Sequence, residues 1–176
     1  MDKLLAVTAI GPDRTGIVRD LSAGITEAGG NIRESRMTTL GSEFAVMLLV
    51  EGNWHAINKV EESLAALGED DKFTINVRPT EERGDSAVAA PYTVDVIALD
   101  QEGIVAGMSG FFARKNLEIA DVTTSRYNAP HTGAPMFSIQ MTINVPRTIH
   151  LARLRDEFHE YCESENLDAI IEPAQR

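Results

Sequence analysis

Leu5 and Val7 sit on alternate positions near the start of the chain. Ile17, Val18, Leu21, Ile25 and Ala28 then recur at helical spacing. Alternation turns one face of an extended strand toward a core, and a 3.6-residue period turns one stripe of a helix there. The chain therefore opens as strand, then helix. Gly29-Gly30 offers the left-handed residue that ends a helix. Residues 31–39 read as a second strand and Gly41-Ser42 as a tight turn. Phe44, Val46, Leu48 and Val50 share one face of a third strand. Trp54 begins a second helix with Ile57, Val60, Leu64 and Leu67 in line, and Gly68 is expected to end it. Phe73, Ile75 and Val77 alternate in a fourth strand. The order is β-α-β-β-α-β.

The same order follows again. Tyr92, Val94, Val96 and Ala98 alternate, and Ile104, Val105, Met108, Phe111 and Phe112 form a helical stripe. Residues 117–126 and 136–145 read as a strand pair, Leu151, Leu154, Phe158 and Tyr161 as a second stripe, and residues 167–171 as the last strand. The segment DRTGIVRDLSAGITEAGGNI lies over DQEGIVAGMSGFFARKNLEI without a gap at a shift of 87 residues. Identities are few, but the apolar positions coincide, as expected of a duplicated domain.

These patterns predict an α+β chain of two ferredoxin-like βαββαβ domains, each an antiparallel sheet with helices on one face. The expected bounds are 1–79 and 91–176. Residues 80–90, polar and then small, form the linker. The second hairpin connection, Tyr127 to Pro135, is far longer than Gly41-Ser42 and is expected to move. Ala45, Met47 and Leu49 make the third strand apolar on both faces, so its second face should be covered by the other domain or by another chain.

Charge narrows the partners. The net charge is −11, with 9 basic and 15 acidic residues over 1–90 and 7 and 12 over 91–176. Lys and Arg nowhere cluster, which argues against direct contact with nucleic acid or an anionic membrane. No apolar run is long enough to span a bilayer, and no signal peptide is read at the start. Cys162 is the only cysteine, which fits a reducing cytoplasm.

Two βαββαβ units with Asp-x-x-Gly-Ile-Val after the first strand resemble tandem ACT domains, small regulatory modules that bind amino acids. GPDRTGIV (Gly11 to Val18), AGGNIRESRM (Ala28 to Met37) and EFAVMLLVEG (Glu43 to Gly52) make the first unit the more typical. In this combination the chain resembles the glycine cleavage system transcriptional repressor family. The resemblance implies a ligand at a domain interface, against the loop Gly11 to Ile17. There the helix N-terminus suits an α-carboxylate. Gly16 would allow close backbone approach, and Asp13 or Thr15 would cap the helix or meet the ligand ammonium. Arg14, expected to be exposed, would assist the carboxylate. Asn31, with Ile32 beside it, would add an amide or carbonyl partner. Asp100, Gln101, Gly103 and Ile104 form the matching second loop. It is expected to be weaker, because Glu102 and Glu118 replace Thr15 and Asn31.

The resemblance thus implies a non-catalytic, amino-acid-responsive regulator, with glycine or serine favoured. It would be a cytoplasmic homo-oligomer acting through a protein partner such as a transcription factor or a metabolic enzyme. The alternative is a detached regulatory subunit of an amino-acid metabolic enzyme. No cofactor, metal site or catalytic residue is expected. His55, His131, His150 and His159 lack zinc spacing, and Cys162 lies on an apolar stripe. Acylphosphatase-type chemistry, which this fold can host, would need an arginine-lined phosphate loop and an asparagine. Arg14 and Asn31 fit that superficially, but no further basic residue accompanies them.

Overall fold

The computed structural model describes residues 2–82 and 89–174. They form two compact units, Met1–Gly84 and Asp85–Arg176. Unit 1 runs β1 (Lys3–Pro12), α1 (Ile17–Glu27), β2 (Asn31–Leu40), β3 (Glu43–Gly52), α2 (Trp54–Asp71) and β4 (Thr74–Thr80). Unit 2 runs β5 (Ala89–Leu99), α3 (Ile104–Arg114), β6 (Glu118–Asn128), β7 (Pro135–Pro146), α4 (Leu151–Glu165) and β8 (Asp168–Pro173). Each sheet is antiparallel, ordered β2-β3-β1-β4 and β6-β7-β5-β8. Thr80, Ala89 and Ala90 belong to strands rather than to the connection, and residues 83–88 of the expected linker lie outside the described residues.

The duplication extends to irregularities. A bulge falls in β2 between Ile32 and Glu34, and another in β6 between Ile119 and Asp121, 87 residues on. The turn after α1 uses Gly29 at φ +85°, and the turn after α3 uses Asn116 at φ +53°. Each unit has its own core. Leu5, Val7, Leu21, Ile25, Val50 and Val60 build the first, and Val94, Met108, Phe112, Ile139 and Ile143 build the second. Among the described residues no polar or charged side chain is buried.

Two local expectations need correction. Gly68 does not end α2, which continues to Asp71 and closes on Lys72 in the left-handed region (φ 57°). A Cβ at Gly68 would lie 3.1 Å from the Phe73 carbonyl oxygen, so the glycine makes room for the returning chain instead of capping the helix. The second hairpin connection is shorter than expected, because β6 runs to Asn128. Hydrogen bonds from Ala129 N–H to Ala134 O (2.8 Å) and from Gly133 N–H to Ala129 O (2.9 Å) close it into a compact turn. The outer sheet face of unit 1 leaves Met47 60% exposed and Ile10 48% exposed, while Ala45 and Leu49 are half-buried. The matching residues of β7 are Ser138, Gln140, Thr142 and Asn144, so this strand alternates in the ordinary water-facing manner, while Ile97 and Ile170 leave apolar side chains exposed on the same face of the second sheet.

The helix pairs also differ. A Cβ at Gly24 of α1 would lie 2.8 Å from the Ser63 hydroxyl of α2, so small residues bring these helices together. The position matching Gly24 is Phe111. Its ring stacks on Tyr161 of α4 (5.1 Å, 28°) and meets Phe112 and Phe158 at 5.3 and 5.5 Å. An aromatic layer thus fills the space that close helix packing fills in unit 1.

Candidate functional site

The loop Gly11–Ile17 enters α1 through Gly16. This residue is the N-cap, at φ +94° with no side-chain cap, and Asp20 N–H bonds to its carbonyl at 3.0 Å. Asp13 and Thr15 therefore do not cap the helix. The nearest side-chain atoms to a Cβ at Gly16 would be 3.7 Å away, so glycine is needed for its backbone conformation rather than for space. Gly103 repeats this at φ +86°. Gly16→Ala and Gly103→Ala are each expected to cost about 1 kcal/mol through left-handed backbone strain. Chemical unfolding of the two variants checks this, and unchanged stability would show that the turns relax out of that region.

Asp13 is tied across the hairpin instead. Its N–H donates to Ser42 O (3.1 Å), and its carboxylate accepts from the Thr39 hydroxyl (3.4 Å) on β2. The loop thereby reaches the edge strand of the sheet. Unit 2 keeps the plan, with Asp100 N–H on Pro135 O (2.9 Å) and its carboxylate paired to Arg126 (2.8 Å). Arg14 is half-buried rather than exposed, because its guanidinium pairs with Asp20 in the first turn of α1 (2.8 Å). The Arg19 and Arg14 guanidinium groups together hold the Asp20 carboxyl below the usual carboxylate range. Asp20 was not singled out from the sequence, although an acid in the first turn of a helix is a recognisable signal.

Gly11 is buried, and a Cβ there would lie 2.8 Å from the Phe73 ring. The Ile17 side chain is in the core and Ile32 packs against it, so neither offers a side chain to a ligand. Thr15 is exposed.

One grouping fails within a unit. Pro12 pairs with Glu43 and through it with Leu40, whereas Leu4 pairs with Glu51 and through it with Asn31. From Leu4 to Pro12 the strand advances eight residues, about 26 Å. Asn31 and Ile32 therefore lie at the end of the sheet opposite the loop. Beside them Arg33, at the bulge, pairs with Glu82 (2.6 Å) and Glu51 (3.8 Å). Glu118 likewise lies far from Gln101, Gly103 and Ile104, and it accepts from the Asn144 side-chain amide (3.1 Å). It cannot repel a ligand at the second loop of its own unit.

The remaining reactive groups are dispersed. His55 lies on α2, His131 in the 129–134 turn and His150 at the N-cap of α4, while His159 pairs with Glu163 (3.3 Å). Cys162 is buried, and loss of hydration pushes its thiol up to about 11, which makes it a poor nucleophile. Among the described residues no three His, Cys, Asp or Glu side chains gather where a metal could sit. No described helix is long and apolar enough to cross a membrane.

Comparison with known proteins agrees with the topology. Residues 3–78 match the family profile of the ACT domain. The glycine cleavage system transcriptional repressor of Escherichia coli (strain K12) is 28% identical over 167 residues, covering 95% of this chain and 88% of that protein. A crystal structure of a candidate glycine cleavage system transcriptional repressor superposes with a TM-score of 0.75 at 26% identity, over 100% of this chain and 99% of that one. A Galdieria sulphuraria protein of unknown role superposes at 0.80 with 25% identity, over 99% and 100% of the two chains. The first unit thus matches the ACT domain profile, the second repeats its fold, and the chain is similar over nearly its whole length to glycine cleavage system transcriptional repressors.

Proposed function

We propose that this protein is a non-catalytic, amino-acid-responsive regulator of the glycine cleavage system type, acting in the cytoplasm through a protein partner. Similarity to the Escherichia coli repressor over 95% of the chain carries the reading. The acidic charge of both halves supports a protein rather than a nucleic-acid partner.

The ligand in this reading is a small amino acid, glycine or serine first. Its carboxylate meets the N-terminus of α1 and its ammonium meets Asp13. Because Asn31 lies at the far end of its own sheet, the Asn31 that completes the site comes from a second copy of the chain. Two β2 edges laid antiparallel place the Asn31 end of one against the Leu40 end of the other. Asp13 already reaches that end through Thr39. Binding would then favour one arrangement of the interface over another, and a partner protein would read the difference.

Calorimetric titration of the full chain with glycine and serine is expected to give saturable heat, lost in Asp13→Ala and in Asn31→Ala with both folds intact. No heat with any of the twenty amino acids would overturn the reading.

A further inference from the structure

Each sheet turns one face away from its own helices, and the internal repeat sets the two outer faces in register. In unit 1, Ile10 and Met47 stand exposed near the middle of that face. Arg36 lies beside Met47 on β2 and Arg78 beside Ala6 on β4, both with exposed side chains. Glu34, beside Leu49, is the one acid in the rows that cross Ala6, Thr8 and Ile10. In unit 2, Ile97 repeats Ile10, and Ile170 is exposed beside Asp95. The rows that cross Thr93, Asp95 and Ile97 hold Asp95, Asp121, Asp168 and Glu172, and no Lys or Arg. Glu172 occupies the position that Arg78 holds in unit 1, so the sign of the charge is reversed there.

Two faces of the same construction thus carry an apolar middle and opposite charge. We infer that the outer face of unit 1 packs on the outer face of unit 2 of a second copy, and that two copies exchange this contact about a two-fold axis. Facing sheets pack about 10 Å apart, which lets Ile10 and Met47 leave water together with Ile97 and Ile170. Arg36 and Arg78 then meet the carboxylates that surround the isoleucines. Pairing like with like is disfavoured. Two unit 2 faces would set Asp95, Asp121, Asp168 and Glu172 against the same four residues with no cation between them. Both halves of the match are carried by this one chain, so a second copy supplies the occupant of each face.

Area explains why the contact is made twice. Four strands span about 19 Å, and Leu4 to Ile10 of β1 spans about 20 Å. One contact of that size buries about 800 Å² over its two sides, less than the roughly 1,000 Å² that a specific interface needs, whereas the reciprocal pair buries about 1,500 Å², an ordinary interface. The contact uses sheet faces and not the β2 edges. It involves no ligand and stands or falls independently of the amino-acid reading.

The test is the mass of the full chain in micromolar solution, read by analytical ultracentrifugation. Arg36→Glu with Arg78→Glu makes both faces acidic. Asp121→Lys with Asp168→Lys and Glu172→Lys makes both faces basic. All five side chains are exposed, so each variant is expected to fold, and circular dichroism checks this. Each variant alone should associate about a hundredfold more weakly than the native chain and show half its mass, because like charges now face each other. An equal mixture should regain the native mass as a hybrid, since every acidic face then meets a basic one. A native chain that is monomeric, or a variant of unaltered mass, would overturn the inference. So would variants that part and stay apart on mixing, because a contact made inside one chain cannot be rescued by another. Should either variant not fold, salt decides. At 1 M salt, where charges are screened over about 3 Å, association of the native chain should weaken at least tenfold, and unchanged or tighter association would overturn the inference.

Discussion

Gly11→Ala is expected to destabilise unit 1 by about 2 kcal/mol, the usual cost of overpacking a filled core, and Phe73→Leu in the same chain to recover most of that loss. The added methyl would stand 2.8 Å from two Phe73 ring atoms and 3.0 Å from a third. It meets the body of the ring, so no flexible tip can swing aside. Phe73 is 5% exposed and belongs to the core, so the ring has little room to retreat. Unit 2 has already made the exchange, with Ala98 and Leu167 at the matching positions of its own core. Phe73→Leu alone leaves a void and should also destabilise. The double variant should therefore be more stable than the two single losses added together. Hydrogen exchange of the β1 amides, read in all four proteins, reports unit 1 separately from unit 2. Additive losses would show that the two residues are not coupled. The result also bears on function, because it assigns Gly11 to packing rather than to ligand approach.

That pair illustrates what the sequence could convey. The strand and helix periods were readable because each element has one buried face, as with Leu5 and Val7 or Leu21 and Ile25. The repeat was readable because the same faces recur 87 residues later. A contact such as Gly11 on Phe73 was not, because it joins residues 62 positions apart and local periodicity is blind to that separation. Gly68 misled for a related reason: a glycine kept for close approach of the returning chain looks like one kept for a helix end. In the candidate site, the entry glycine and the loop were legible from their local chemistry. Asp20 escaped because its importance lies in its arginine partners. Asn31 and the loop were read together, yet sheet register separates them, and register depends on how β1, β3 and β2 align, not on any short motif. The same register removes Glu118 from the second loop and leaves Glu102 there.

The separation of Asn31 from the loop leads to the second large effect. If the first-loop site is completed across two copies of the chain, Asp13→Ala and Asn31→Ala should each give no glycine heat alone but regain binding when mixed. In a two-fold assembly each site takes its loop from one copy and its Asn31 from the other. A hybrid of the two variants then contains one site with both native residues and one with neither. Refolding an equal mixture should make half the assemblies hybrid and restore about a quarter of the native number of sites. The restored sites should bind with native affinity, because nothing at them has changed. Calorimetry reads both quantities, the number from stoichiometry and the affinity from curvature. A site built inside one copy cannot be rescued by mixing, so persistent silence from a folded mixture would exclude the shared site. Recovery of heat at much weaker affinity would exclude it as well, since it would mean that one of the two residues is dispensable.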